Sequence, residues 1–379
     1  MTECRAQVWP CAMTGAAACL AGFSGLGVIV HGSSGCFYYP ASLLHRQLHG
    51  TCITGEEVVF GADERLRSVI RDLSGKFQKM AVVTTCVPAL TGEDVREILD
   101  GYDLIIVEAP GFLGNFETGY RAALEALEPE VDQDASGVNI AGLSLADPFH
   151  AGNLMEAERI LSMAGFQTGT RLCADSFSRL KDLSPFTISA NPDLPSGPGT
   201  RTGEILGMAE TEKTLDNMAR YCDHVDVSPV IQEARDAEAR IEKVSDAFLR
   251  RYDPPRVTIF GGASYATFAA TLLRRYLDAE ILLVCSRNEP PSGPYATCVS
   301  TDLDTIAGHI RSLEPDLIVG SSIERSISPE AAFVGITQPL RGSVRIRPRP
   351  IAGIQGALSF MEETLNACTD MRRKDRSSH

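Results

Sequence analysis

The chain has 379 residues, 44% hydrophobic and 22% charged, a soluble globular composition with more length than one compact core uses. Its formal net charge of −14 excludes a general nucleic-acid binder, because neutralising phosphates takes clustered Lys and Arg. No apolar run reaches the ~18 residues of a spanning helix, and the N-terminal MTECRAQVWPC shows no secretion signal, so no membrane role is expected. Eleven cysteines, an odd count in an expected reducing cytoplasm, argue against a disulfide framework and leave metal binding or plain burial.

In chain order, WPCAMTGAAACL is a small-residue stretch suited to a helix, with Cys11 just before it, leading to the strand GVIVHG (27–32). Cys36 follows in HGSSGC, ahead of a helix that Pro40 is expected to open. His45 and His49 stand four apart and would share a helix face; with no carboxylate motif to complete a metal set, a solvated face is the expectation. After the helical ERLRSVIRDL comes the strand MAVVTT (80–85), then Cys86, then Thr91 and Asp94 at the spacing of a helix N-cap. DLIIVEA (103–109) is the next strand, and DQDASG (132–137) is a polar break.

Beyond the break, VNIAGLS (138–144) is a strand, EAERILSMAG a helix and NPDLPSGPGTRTGE (191–204) a loop. The charged segment 231–252 reads as a linking helix stopped by Pro254 and Pro255. RVTIFGG, AEILLVC and DLIVGSS are further strands, with FAATLLRRYL between the first two as a helix. Arg341, Arg345, Arg347 and Arg349 alternate with apolar residues in an expected exposed edge or loop, and the tail DMRRKDRSSH is expected to fray. GGASYATFAATLL lacks both common nucleotide fingerprints, so the chain has no nucleotide site of its own to offer.

Short continuous apolar strands alternating with helices are the pattern of parallel sheets. Their recurrence implies an α/β fold of three doubly wound, Rossmann-like domains with mostly parallel sheets. The expected domains are 1–136, which carries Cys11, Cys36 and Cys86; 137–252, ending in the linking helix; and 253–379.

Cys36 and Cys86 both follow strand ends, where open α/β sheets bind ligands. A thiolate at a helix N-terminus is stabilised by unpaired N–H groups, and its pKa is expected to fall. The residues alone leave three readings open: metal or cluster ligation, inert buried thiols, and covalent catalysis with His31 as base. Cys173, Cys222, Cys285, Cys298 and Cys368 have no metal-like spacing and read as packing or surface thiols.

Taken together, HGSSGC, EEVVFGADERL, TTCVPALTGED and EAPGF resemble the nitrogenase component 1 family. The family includes dinitrogenase subunits, cofactor-assembly scaffolds, chlorophyll-pathway reductases and the nickel-tetrapyrrole reductive cyclase of coenzyme F430 synthesis. The resemblance implies an iron–sulfur cluster, expected to be 4Fe-4S, held by Cys11, Cys36 and Cys86 at a subunit interface. A facing subunit, Cys52 or Cys19 would complete the ligand set, although buried filler is the ordinary reading of both cysteines. It further implies a separate ATP-hydrolysing iron protein as electron donor, and a second component 1 subunit, identical or paralogous.

Dinitrogenase-type subunits carry an extra cofactor cysteine in the middle domain, and the corresponding FTISANPDLPSGPG has none. The leading expectation is therefore an oxidoreductase that passes low-potential electrons to an unsaturated small molecule, a tetrapyrrole of the Ni-sirohydrochlorin a,c-diamide type. The alternatives are a scaffold for nitrogenase-type cofactor assembly and a simple iron–sulfur carrier. A tetrapyrrole reductase calls for a large, mainly apolar cavity at the domain junction; a scaffold calls for a polar pocket with soft or imidazole ligands.

Overall fold

The computed structural model describes residues 7–221, 225–342 and 344–377. Thirteen strands form three separate sheets among these residues. The first sheet holds β1 (Leu26–His31), β2 (His49–Gly50), β3 (Lys79–Thr84) and β4 (Ile105–Glu108) in the order β2-β1-β3-β4. The second holds β5 (Val138–Ala141), β6 (Thr168–Arg171), β7 (Phe186–Ser189) and β8 (Thr200–Glu204) in the order β6-β5-β7-β8. The third holds β9 (Arg256–Gly261), β10 (Glu280–Ser286), β11 (Thr297–Val299), β12 (Leu317–Gly320) and β13 (Ala332–Gly335) in the order β11-β10-β9-β12-β13. Every pairing is parallel, and helices connect most of the strands, the arrangement that lets both faces of a strand be apolar.

The seven apolar runs of the sequence fall on β1, β3, β4, β5, β9, β10 and β12. The strands of the first sheet are accompanied by α1 (Ala12–Ala21) before β1, by α2 (Ser34–Leu44), α3 (Gly55–Phe60), α4 (Asp63–Leu73), α5 (Cys86–Thr91) and α6 (Val95–Ile98) between them, and by α7 (Phe116–Ala126) after β4. Four local expectations need correction. Helix α2 starts at Ser34, so Pro40 lies inside it and Cys36 sits in its first turn. His45 ends α2 in the left-handed conformation and His49 begins β2, so the two histidines share no helix face. Asp94 is the N-cap of α6, accepting from the N–H groups of Arg96 and Glu97, whereas Thr91 closes α5. Finally, the end of the expected loop 191–204 is strand β8.

Two glycines set the α1–α7 contact. A Cβ at Gly119 would lie 1.7 Å from the Ala12 carbonyl oxygen, and one at Gly15 would lie 1.8 Å from that of Phe116. The helices therefore touch backbone to backbone, and α1 cannot shift without moving α7. Gly119→Ala is expected to force them apart and cost about 1–3 kcal/mol. A lower urea midpoint with an unchanged slope would register it.

The second and third sheets are clasped together. One apolar core includes Ile140 and Ile160 from the former and Ile259, Leu273 and Phe360 from the latter. Asn153 Oδ1 accepts from the N–H groups of Ile351 (2.9 Å) and Ala352 (3.0 Å), tying the approach to the final helix, Gly353–Ser377, to the middle unit. The N-terminal segment lies against the third unit, just past β11: Val8 N–H donates to Thr301 O at 2.8 Å, and Gln7 bridges Asp302. Cys11 thus stands where the chain crosses from the third unit into the first.

Candidate cysteine site and adjoining cavity

The chain leaves β1 for β2 on one side and returns to β3 on the other. The carboxyl ends of β1 and β3 therefore flank a topological switch point, where parallel sheets open a crevice. His31 pairs with Thr84 at the last register position, so the turns carrying Cys36 and Cys86 leave side by side. Cys86 is the first residue of α5, Cys36 the third of α2, and Cys11 the N-cap of α1. Three thiols thus stand at three helix N-termini, near N–H groups that lack helical partners.

Gly111 marks where Cys11 and Cys86 come together. Its N–H donates to Cys86 Sγ at 3.1 Å. A Cβ on this residue would lie 3.2 Å from Cys11 Sγ and 3.3 Å from Cys86 Sγ, so any side chain here would press on both sulfurs. Cys36 feels the charges of both other cysteines. Burial pushes the Cys36 thiol up, and Cys86 and Cys11 add to this, while hydrogen bonding to Ser33 and Thr85 pulls it down. The depressed pKa expected of a helix N-terminus is thus reversed for Cys36: desolvation exceeds the dipole.

His31 is buried and serves the turn. Its Nε2 lies 3.0 Å from Glu93 Oε1 and its Nδ1 lies 3.1 Å from Thr51 Oγ1, which also accepts the Gly32 N–H at 3.0 Å. With both ring nitrogens engaged, His31 is held in place and joins the loop before Cys36 to the segment after α5. It is not poised as a base for a thiol.

The remaining cysteines lie elsewhere. Cys19 and Cys173 are buried with their sulfurs 3.5 Å apart, beside the Tyr120 hydroxyl, so both are core filler. Cys52, at φ 51°, follows β2 and feels Arg65. Cys285 and Cys298 are not packing thiols: they face one another across β10 and β11 and form a disulfide. Cys368 is buried, which pushes its thiol up to about 12. Cys222 and His379 lie outside the described residues.

Among the described residues, no three His, Cys, Asp or Glu side chains are placed to hold a metal ion. Cys11 and Cys86 flanking Gly111, with Cys36 near enough to feel both, suit a polynuclear cluster, whose thiolates bind different irons and stand farther apart than ligands of one ion. Exposed apolar side chains rim them: Tyr38 (74% exposed) on α2, Leu90 (68%) on α5, and Phe112 and Leu113 beside Gly111. A rim of that kind marks a contact surface.

A cleft of about 1140 Å³ opens among all three units. Residues lining it include Arg121 and Glu125 of α7, Glu204 of β8, Arg275 of the helix Ala263–Leu277, and Glu289. The lining mixes these charged side chains about evenly with apolar ones such as Leu124, Met208 and Phe268, rather than being mainly apolar as expected for a macrocycle site. A smaller cavity of about 50 Å³ shares Asp193 and Leu194 with it and is bounded by Trp9, Glu117, Asp147 and Tyr265. Among the described residues, neither cavity is lined by Cys or His. The N-terminus of the helix Ala263–Leu277 is filled by Asn288 and Asp193, which accept from Ala263 and Ser264.

Residues 11–189 and 197–369 match the model of a family described as Nitrogenase component 1 type Oxidoreductase. The chain belongs to the nitrogenase component 1 family.

The matched span opens on Cys11. A nitrogenase iron-molybdenum cofactor biosynthesis protein NifE from Clostridium pasteurianum is 22% identical, over 88% of this chain and 82% of its own length. A nitrogenase molybdenum-iron protein beta chain from Bradyrhizobium diazoefficiens is 29% identical over 41% of this chain, and the match spans only 36% of that protein. In fold, the chain is similar to the solved structure titled nitrogenase Cp1 at pH 6.5, with a TM-score of 0.80 at 16% identity, covering 98% of this chain and 94% of that one. The three parallel sheets are thus a component 1 architecture. Among the described residues, no helix is long and apolar enough to cross a membrane. Proteins of the component 1 family bind iron–sulfur clusters, work in oligomers and are served by an iron protein.

Sequence reasoning passed over Gly111, Glu117 and Arg287. Gly111 lies within the quoted EAPGF, and its position just after β4, the neighbour of β3, was the available signal. For the other two there was none, since their partners are remote in sequence.

Proposed function

We propose that this component 1 chain is the cluster-bearing subunit of a nitrogenase-like reductase, with Cys11, Cys36 and Cys86 as ligands of a 4Fe-4S cluster. The observation that supports the reading is that Cys11 and Cys86, from segments far apart in sequence, flank Gly111 while Cys36 feels the charges of both. When bound, such a cluster supplies one-electron redox chemistry. The residues around it do the rest. Gly111 leaves room and directs its N–H at Cys86, and burial limits water. His31 holds the two turns together. The apolar rim of Tyr38, Leu90, Phe112 and Leu113 suits a second component 1 subunit, identical or paralogous, which would cover the site and complete the ligand set. An ATP-hydrolysing iron protein would deliver the electrons, in the cytoplasm.

The three-unit cleft is the place for an unsaturated small molecule, and a tetrapyrrole of the Ni-sirohydrochlorin a,c-diamide type is the occupant we put to the test. Its volume suits a macrocycle, while the excess of acids in its lining opposes a heavily anionic one. The second reading, a scaffold for metallocofactor assembly, is favoured by the NifE relative that spans most of the chain. Against it stands the lack of Cys and His among the described residues that line both cavities.

Mixing the iron-loaded chain anaerobically with a nitrogenase-type iron protein, ATP and Ni-sirohydrochlorin a,c-diamide separates the readings. The reductase predicts an ATP-dependent change in the visible spectrum of the macrocycle. An unaltered pigment, together with tight capture of an iron–sulfur cofactor precursor, would select the scaffold.

A further inference from the structure

The disulfide between Cys285 and Cys298 lies where the first described residues of the chain are held. The two cysteines are register partners on β10 and β11, with β11 at the edge of the third sheet. β11 is three residues long, has a neighbour on one side only, and exposes Thr297 and Val299. Backbone bonds from Val284 N–H to Ala296 O and from Ser300 N–H to Ser286 O, both 2.9 Å, frame the cysteine pair. A strand that short, paired along one edge, is marginal without a further hold, and the S–S bond supplies one.

Just past the disulfide, each strand leads to a grip on the same residue. Two residues after Cys285, Arg287 donates from Nη1 to the Val8 carbonyl at 3.0 Å. Three residues after Cys298, the Thr301 carbonyl accepts the Val8 N–H at 2.8 Å, and Asp302 bridges Gln7. Val8 is buried in the same apolar cluster as Cys285, against which Cys298 also packs. Residues 7–9 thus form a strap held between the ends of two covalently joined strands, with Arg287 stacked on the Trp9 ring at 5.5 Å. The strap runs directly into Cys11. The two grips differ in their support. Arg287 is fixed by its buried ion pair with Glu324 and by its own N–H, which donates to Gly261 O at 2.9 Å. Thr301 lies in the short link between β11 and the helix Leu303–Leu313, so its place depends on β11 staying docked.

We propose that Cys285 and Cys298 form a thiol–disulfide latch: the closed bond seats the strap that presents Cys11, and reduction releases the Thr301 side of the grip. The latch stands on the third unit alone; only its effect on iron rests on the reading of Cys11 as a cluster ligand. Disulfides persist in oxidising surroundings and are transient in reducing ones, so the latch answers to the thiol poise around the protein. Cys298 is half-buried and Cys285 wholly buried, so an incoming thiolate reaches the Cys298 sulfur. In the step, one thiolate of a small dithiol attacks Cys298 Sγ, the Sγ–Sγ bond breaks, and Cys285 leaves as a thiolate that takes up a proton. The second thiolate of the dithiol then attacks the first, releasing Cys298, which takes up the second proton. Two electrons and two protons pass from the dithiol, which becomes a disulfide, to the two cysteines. The reverse exchange closes the latch.

Hydrogen exchange of the full-length, iron-free chain, before and after dithiothreitol, tests the latch. Alkylation and mass measurement are expected to find Cys285 and Cys298 protected before treatment and reactive after it. The Val8 N–H, which donates to Thr301, should then exchange at least ~10-fold faster, because a cross-link closing a short loop stabilises by more than that factor. Strands β1 and β3 should exchange as before. In Cys298→Ser, Val8 should exchange at the faster rate with or without dithiothreitol. In iron-loaded protein, with no dithiothreitol added, Cys298→Ser should lose iron to a chelator faster than the wild type. Thiols already free before treatment, an unchanged Val8 rate once the bond is cut, or equal acceleration in all three sheets would overturn the latch. Equal iron loss from the two proteins, with a responsive Val8, would overturn its reach to Cys11. A responsive Val8 in a wild-type chain that binds no iron would overturn the cluster reading and leave the latch standing.

Discussion

Replacing Cys36 or Cys86 by Ala is expected to strip the protein of iron. Removing a group that merely orients a ligand lowers metal affinity ~10–100-fold, so losing a ligand should exceed ~100-fold. Cys11→Ala should behave alike, because Cys11 lies against the same glycine as Cys86. Cys19→Ala and Cys52→Ala serve as controls: Cys19 is occupied with Cys173 and Tyr120 in the core, and Cys52 sits by Arg65. Iron and acid-labile sulfide per chain, measured after anaerobic purification, separate the two groups. Full iron in the Cys36 and Cys86 variants would refute the site.

Glu324→Ala is the substitution expected to cost most in stability. Arg287 and Glu324 form an ion pair at 2.5 Å with both side chains almost wholly buried. Glu324 also accepts the Ser321 N–H (2.8 Å) and hydroxyl (2.6 Å). Removing the carboxylate leaves a guanidinium in the core with no counter-charge, a change worth about 3–5 kcal/mol. Because Arg287 also holds Val8 and stacks on Trp9, the loss should loosen the strap that ends at Cys11. Denaturant unfolding should show a large drop in midpoint. The exposed pair Arg96–Glu108, of similar geometry at 3.0 Å, should give at most ~1 kcal/mol when Glu108 is changed to Ala. Equal effects at the two sites would mean that burial is not what sets the cost.

Much of the fold was legible because strands buried on both faces are written as unbroken apolar runs. Val28 to Val30 and Ala81 to Val83 are wholly buried, and the sequence says so. Of the edge strands only β4 was legible. β8, TRTGE, is polar and exposed at its start and has a neighbour on one side only, so nothing in its composition marks a strand. The Cys285–Cys298 disulfide was missed for a related reason: residues thirteen apart meet only because β11 pairs in parallel with β10.

The site divides in the same way. Cys36 and Cys86 could be found from strand–turn–helix grammar, and Cys11 through the resemblance of the motifs. The acid cavity could not be found, because Trp9 and Glu117 lie 108 residues apart, and Asp147 and Tyr265 lie 118 apart. A lone Glu in the first turn of a helix reads as dipole compensation until the tertiary fold buries it. Burial also reversed the expectation for Cys36, whose thiol a helix N-terminus alone would have made more acidic.

X-ray absorption at the iron edge, on anaerobically purified wild-type protein, tests the central claim most directly. Sulfur as the dominant first neighbour of iron, with a second shell of iron, is the predicted result, since thiolates from three distant segments would then share one cluster. Iron surrounded by oxygen and nitrogen with no iron neighbour, or no bound iron at all, would contradict it.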